Sequence, residues 1–302
     1  MSERSNGDDG GQTATTAVKR HGGGQTTTAT VKNHGGGQET TAAVWAAVSG
    51  MSFGEAWLRR DEEKSPELLE RFHAAVAALE RGVPLAYAVG RVGFRTLDLA
   101  IDARALIPRP ETEGLVELVL EETGKRETGN GKRGLAADIG TGSGCIALSL
   151  AVDGRFDRVI AVERSPAAAA LARENLQRVN PRTPVEVREG NLLAPLVDKG
   201  ERYRLIVCNP PYLTEREYAE LDPSVREFEP REALVSGHDG LDATRALFAG
   251  AAALLEQGGL LALEIDERRS DAVRALAREY GWPGVEIHAD LFGCPRYALF
   301  TP

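Results

Sequence analysis

The sequence has little from which to build a metal centre or a disulfide framework. Its 302 residues include three cysteines, Cys145, Cys208 and Cys294, odd in number and far apart. Neither a set of bridges nor a CxxC zinc knuckle fits that spacing. The five histidines (His21, His34, His73, His238 and His288) show no HExxH or other ligand spacing, so no metal is expected. No apolar run approaches the ~18 residues needed to span a bilayer, and MSERSNGDDGGQ lacks the apolar core of a secretory signal. A cytosolic protein with no membrane role is expected. An excess of positive charge is also missing. The formal net charge is -9, which argues against a protein that wraps nucleic acid as its main business.

Residues 1–43 have almost no large apolar side chains. Gly, Thr and Ala dominate, and such a segment cannot bury enough surface to offset its chain entropy, so disorder is expected. The segment repeats. Gly10-Gly11-Gln12, Gly23-Gly24-Gln25 and Gly36-Gly37-Gln38 open successive units 13 residues apart. A unit of that length with no apolar face suits neither a solenoid nor a coiled coil.

What is present begins after this tail. A short helical segment is expected over 44–85. Ser65 is a plausible N-cap, Pro66 stands at the first helical position, and Leu68, Leu69, Phe72, Val76 and Leu79 share one face before Gly82 stops the helix. Trp45 and Trp57 add apolar surface on a second short helix. The third segment, 86–302, alternates helices and strands. Thr112 is read as the cap of helix EGLVELVLEE, ended by Gly124. LAADI, RVIAVE, PVEVR, YRLIVC, LLALEI, VEIH and YALF read as seven strands. Helices are expected at about 242–257 and 267–280. The short link before YALF permits antiparallel pairing, so a doubly wound α/β sheet with a terminal hairpin is expected.

In such sheets ligands bind beyond the C-terminal strand ends. Asp138-Ile139-Gly140-Thr141-Gly142-Ser143-Gly144 follows the first strand. Its glycines let a backbone approach a ligand, and the next helix supplies free N–H groups. The spacing does not match the dinucleotide fingerprint. Glu163 ends the second strand, where a carboxylate can accept both ribose hydroxyls of a nucleoside, whether of NAD or of S-adenosylmethionine. Asn209-Pro210-Pro211-Tyr212 follows the fourth strand. The two prolines remove two N–H donors. An array of acceptors remains, the Asn209 oxygen and the Pro210 carbonyl, with the flat ring of Tyr212. That arrangement suits a planar NH2 group.

DIGTGSG with NPPY resembles the class I S-adenosylmethionine-dependent methyltransferases that modify nitrogen on planar amides or exocyclic amines. With IPRPETE (107–113), FEPREAL (228–234) and SGHDGL (236–241), residues 84–302 resemble the protein-glutamine methyltransferase family that acts on peptide chain release factors. The resemblance implies a seven-stranded methyltransferase sheet and S-adenosyl-L-methionine as cofactor. It implies that Asp138, Gly140, Thr141, Gly142, Ser143, Gly144, Glu163, Asn191, Leu192 and Asn209 hold that cofactor. It implies that Asn209, Pro210, Pro211 and Tyr212, with Arg109, Glu111 and Thr112, hold the target glutamine, and that Asn209, Pro210 and Tyr212 carry the catalysis. The implied partner is a release factor, met in the cytoplasm by a monomer and methylated at its Gly-Gly-Gln loop. The three Gly-Gly-Gln units of the tail repeat that presumed target. Glu163 and Asn191 stand where aspartate is usual, and Glu264-Ile265-Asp266 where EIG is usual. A second reading is a DNA or RNA adenine or cytosine amino-methyltransferase, because adenine N6 presents the same planar NH2. The net charge and the lack of a basic tract stand against it.

Overall fold

The computed structural model describes residues 30–32, 38–126 and 133–302. The first two Gly-Gly-Gln units and Gly36-Gly37 of the third lie outside the described residues, as does most of the loop expected at 125–134. The chain divides into two units, 1–89 and 90–302.

In the first unit, β1 (Thr30–Lys32) pairs antiparallel with β2 (Gln38–Thr40), inside the segment whose composition predicts disorder. Four helices follow: α1 (Thr41–Ser49), α2 (Phe53–Leu58), α3 (Pro66–Glu80) and α4 (Leu85–Val89). Helix α3 forms as its sequence dictates. Ser65 Oγ accepts from Leu68 N, Pro66 occupies the first turn, and Gly82 turns the chain away with φ of 86°. Phe72, Ala75, Val76 and Leu79 of α3 bury themselves against Val44 and Val48 of α1. Trp45 meets Phe72 edge-on at 5.1 Å. Trp57 is half exposed, with the Arg60 guanidinium over its ring, so it adds less to this core than expected.

The second unit opens with a hairpin that local patterning does not announce, β3 (Arg91–Phe94) and β4 (Leu97–Ala100). Its tight turn is Arg95-Thr96, without the glycine or asparagine that marks most two-residue hairpins. Then come α5 (Pro110–Lys125), β5 (Leu135–Ile139), α6 (Cys145–Asp153), β6 (Arg158–Glu163), α7 (Pro166–Val179), β7 (Val185–Glu189) and β8 (Tyr203–Cys208). Short helices α8 (Glu215–Ala219) and α9 (Pro223–Phe228) precede α10 (Asp242–Leu254), β9 (Leu255–Glu264), α11 (Ser270–Glu279), β10 (Gly284–Ala289) and β11 (Pro295–Thr301).

Seven strands form one sheet in the order β10-β11-β9-β8-β5-β6-β7. The five from β9 to β7 run parallel, and β11 is antiparallel to both β9 and β10. The sheet and its terminal hairpin are those the sequence predicts. Two buried clusters cover it. One gathers Phe248, Trp282 and Phe300, and the other Leu115, Ile146 and Leu150. Helix α10 ends at Leu254, short of the expected 257, because Leu255 already pairs with Tyr203 of β8. The chain order reverses between β5 and β8. The crevice beyond their C-terminal ends is therefore the place for a ligand.

Candidate active site

A cleft of about 640 Å³ opens at that crevice. The glycine loop after β5 and the NPPY segment after β8 meet across it. One wall carries Gly140, Thr141, Gly142, Ser143, Glu163, Asn191 and Leu192. The other carries Arg109, Thr112, Asn209, Pro210 and Pro211. Asp138, Gly144, Glu111 and Tyr212 do not line the cleft.

Asp138 explains the shape of the glycine loop. Its side chain is fully buried under the loop, and its Oδ2 accepts from Thr141 Oγ1 at 2.6 Å and from Ala147 N at 3.0 Å. The carboxylate thus ties the loop to the first turn of α6, where backbone donors are free. Burial pushes its pKa up to about 7, against the pull of those two donors. Oδ1 finds no protein partner. Gly140 has φ of 73°, and a Cβ there would meet nothing within 4 Å. A side chain would be strained and would project into open space beside the cleft.

Glu163 closes the loop from the next strand. Its Oε2 accepts from Gly142 N at 2.9 Å and its Oε1 from Ser165 N at 2.8 Å. Each oxygen keeps a second lone pair for a ribose hydroxyl. The turn after β7 begins where Gly190 N donates to Glu163 O at 2.8 Å. Leu192 then takes a left-handed φ of 46°, a strained value of the kind that gathers at ligand sites. Asn175, absent from the sequence reading, is buried on α7. It bonds both polar groups of Ala100 and donates to Ser143 O at 2.9 Å, tying β4 to the loop.

The opposite wall rests on a second buried carboxylate, Glu264 at the end of β9. Thr112 is not a helix cap. Helix α5 starts two residues earlier, with Arg109 at its N-cap, and places Thr112 in the buried first turn. Thr112 Oγ1 donates to Glu264 Oε2 at 2.7 Å and accepts from Asn209 Nδ2 at 3.0 Å. Burial pushes Glu264 up to about 7, opposed by Thr112, Arg296 and Asn209. Tyr297 on β11 fixes the same helix end, its hydroxyl donating to Glu111 O at 2.7 Å. Gly114 makes room, since any side chain there would run into the Tyr297 ring.

Arg109 is held by Glu229, whose Oε1 accepts from Arg109 Nη2 at 2.6 Å while Oε2 accepts from Ile107 N at 3.2 Å. The Glu229 side chain is 1% exposed. FEPREAL therefore serves IPRPETE, two motifs 120 residues apart. Behind NPPY, Leu213 N donates to Leu234 O and Ser236 N to Leu213 O, both at 2.9 Å. Gly240 completes that layer with φ of 78°. A side chain there would collide with the Tyr212 carbonyl and with Arg269. Burial pushes the Tyr212 hydroxyl up to about 12.

The cleft fits a nucleoside that carries a sulfonium amino acid. The glycine loop, the Glu163 carboxylate and the turn at Asn191-Leu192 lie on one side of it. Comparison with known proteins agrees. The methyltransferase small domain matches residues 117–222, and the PrmC N-terminal domain matches residues 26–90, beginning inside the repeated tail. The release factor glutamine methyltransferase of Moorella thermoacetica is 44% identical over 223 residues, covering 74% of this chain and 76% of that protein. Its counterpart in Xylella fastidiosa strain Temecula1 is 42% identical over 242 residues, covering 78% and 83%. Its counterpart in Deinococcus radiodurans is 40% identical over 250 residues, covering 83% and 86%. The N-terminal domain of human METTL16 in complex with SAH has a TM-score of 0.52 at 16% identity, covering 78% of this chain and 82% of that one, a likeness of fold. With the glycine cradle and the acceptor wall facing each other, and with relatives this similar over three quarters of its length, the chain belongs to the release factor glutamine methyltransferase family and is an S-adenosyl-L-methionine-dependent methyltransferase.

Proposed function

We propose that this protein methylates the side-chain amide nitrogen of the glutamine in the Gly-Gly-Gln motif of peptide chain release factors. It would act as a cytoplasmic monomer, with no stable nucleic acid bound. One observation carries the reading. Asn209 points its NH2 group at Thr112, which leaves its oxygen as the acceptor for an incoming NH2 group.

S-adenosyl-L-methionine supplies an electrophilic methyl group on a sulfonium sulfur. Gly140 to Gly144, Glu163, Asn191 and Leu192 hold it. The amide nitrogen of the target is a poor nucleophile because its lone pair is delocalised, and at neutral pH it is no base. Asn209 Oδ1 and the Pro210 carbonyl accept its two hydrogens. They aim the nitrogen and favour the positive charge that grows on it. Alignment of two reactants in a dry site is worth ~7–11 kcal/mol, so no dedicated general base is required. The surplus proton leaves the nitrogen for water after the methyl group has arrived. Arg109 and Glu111 flank the target side, and Pro211 and Tyr212 keep the acceptor wall rigid.

Transfer of labelled methyl from S-adenosyl-L-methionine to purified release factor tests this. Label should appear at the Gly-Gly-Gln glutamine and vanish when that glutamine is replaced. Label in DNA or RNA but none in release factor would reverse the conclusion.

A further inference from the structure

The acceptor wall depends on which way round the Asn209 amide sits. Its oxygen and nitrogen occupy nearly equal volumes, so packing alone hardly distinguishes two orientations that differ by a half-turn. Only one presents an acceptor to a target NH2 group. The other presents a donor to it, and the site fails. Hydrogen bonding must make the choice, and the structure shows a chain of bonds able to do so. Asn209 Nδ2 donates to Thr112 Oγ1, and Thr112 Oγ1 donates to Glu264 Oε2. A hydroxyl has a single hydrogen. Once that hydrogen is given to a carboxylate, only lone pairs remain to face Asn209, and lone pairs accept only its NH2 side.

We propose that Glu264, acting through Thr112, is a positioning residue of the methyl transfer that fixes the orientation of the Asn209 amide. The proposal deepens the amide-methylation reading and rests on it. The direction of the chain is set at its buried end. Thr112 and Glu264 are both 2% exposed, so water does not compete for either group. The carboxylate stands on β9, the hydroxyl on α5, and the amide after β8, so three elements converge on one side chain. If Glu264 took up a proton, it could donate to Thr112. The hydroxyl would then be free to turn its own hydrogen toward Asn209, and the amide would turn over to offer its oxygen inward. The groups that face Glu264 are Arg296 and Tyr297 on β11, Glu111 on α5, Tyr212 after NPPY, Cys208 on β8 and Cys145 on α6. Arg296 favours its ionised form and Glu111 opposes it, while burial raises its pKa to about 7.

The test is a set of substitutions in the full-length protein. Thr112→Val keeps the shape and deletes the hydroxyl, and Thr112→Ser restores the hydroxyl. With release factor as substrate, Thr112→Val should lower kcat by about 10- to 100-fold, as expected where one hydrogen bond orders a reacting-site group. Calorimetric affinity for S-adenosyl-L-methionine should stay within about 2-fold, since Thr112 makes no bond to the glycine loop. Thr112→Ser should recover most of the lost kcat. Glu264→Gln carries an NH2 group that can donate to Thr112 as a protonated Glu264 would, so it should lower kcat and remove the acidic limb of the kcat profile. A second readout needs no turnover. In NMR spectra the Asn209 side-chain NH2 pair should titrate near pH 7 with Glu264, and Thr112→Val should move it toward the positions of a free amide. Wild-type kcat in Thr112→Val, or an Asn209 NH2 pair unmoved by that change, would overturn the proposal. A wild-type protein that methylates no release factor would instead defeat the functional reading, and the NMR arm would still decide whether Glu264 orients Asn209.

Discussion

The two walls of the cleft rest on the same device and use it for opposite ends. Each stands on a fully buried carboxylate whose pKa burial lifts to about 7, Asp138 under the glycine loop and Glu264 under NPPY. Asp138 orders backbone: it accepts from Thr141 and from the N–H of Ala147. The wall it supports is rich in glycine and carries the Glu163 carboxylate. Glu264 orders a side chain, through Thr112. The wall it supports is prolines and carbonyls, where two donors have been deleted. One wall is shaped by glycine backbone and a carboxylate, and the other by acceptors left beside prolines that donate nothing. A cofactor bearing ribose, carboxylate and base suits the first, and an NH2 group suits the second. The two walls stand at the ends of strands that are neighbours in the sheet.

The difference can be broken most severely at Asn209. Asn209→Ala removes the acceptor from a desolvated wall and leaves the glycine loop untouched. A loss of about 2.7–4 kcal/mol of transition-state stabilisation is expected, or roughly 100- to 1000-fold in kcat. Affinity for S-adenosyl-L-methionine by calorimetry should change little. Near-normal turnover would mean that the two walls do not divide the work in this way.

Glu163→Ala should do the reverse. It deletes an acceptor for ribose and also frees the N–H groups of Gly142 and Ser165, which it now holds. An affinity loss of about 1.5–3 kcal/mol for the cofactor is expected, with kcat at saturating cofactor much less affected. A dissociation constant that does not move would remove Glu163 from the cofactor wall.

Much of this site could be read in the sequence because position in the sheet carries information. LAADI, RVIAVE and YRLIVC are buried parallel strands, hence continuous apolar runs, and whatever follows them must lie at the crevice. Gly140 and Asn209 follow such strands and Glu163 ends one, so they belong there. The same logic fails where a partner is distant. The bond from Thr112 to Glu264 spans 152 residues, and no periodicity records it. Threonine is a favoured N-cap, so Thr112 reads as one, while Pro110 in fact begins the helix. Glu229 and Glu264 were visible within motifs, but burial gives them their roles, and burial of an acid is not written in its neighbours. The β3–β4 hairpin escaped because Arg95 turns it at φ of 52° without a glycine. Leu255 to Gln257 read as the last turn of a helix stopped by Gly258-Gly259, whereas the pairing of Leu255 with Tyr203 of β8 decides the matter.

The smallest expected effect separates the two carboxylates by stability rather than by activity. Asp138 and Glu264 have folded pKa values near 7, above their ordinary values of 3.8 and 4.5. The folded state therefore holds these protons more tightly than the unfolded chain does. Between about pH 4 and pH 7 the unfolded state binds fewer protons, so stability from these two groups falls as pH rises and levels off above about 7. Glu201 and Asp239 behave in the opposite sense. Arg188 holds Glu201 down to about 2, and Arg245 does the same for Asp239, so their stabilisation is lost only as pH falls below the ordinary carboxylate range. The two windows barely overlap. Urea midpoints measured from about pH 5 to pH 7 should decline in the wild-type protein, and Asp138→Asn and Glu264→Gln should each remove part of that decline. Asp138→Asn places an NH2 group where Oδ1 has no partner. Its midpoint should therefore drop at every pH, while its slope flattens. Glu264→Gln should flatten the slope with less overall loss, because Thr112 keeps a hydrogen-bond partner. Equal slopes in all three proteins would show that neither carboxylate carries a raised pKa in the folded state, and the likeness between the two walls would then end at geometry.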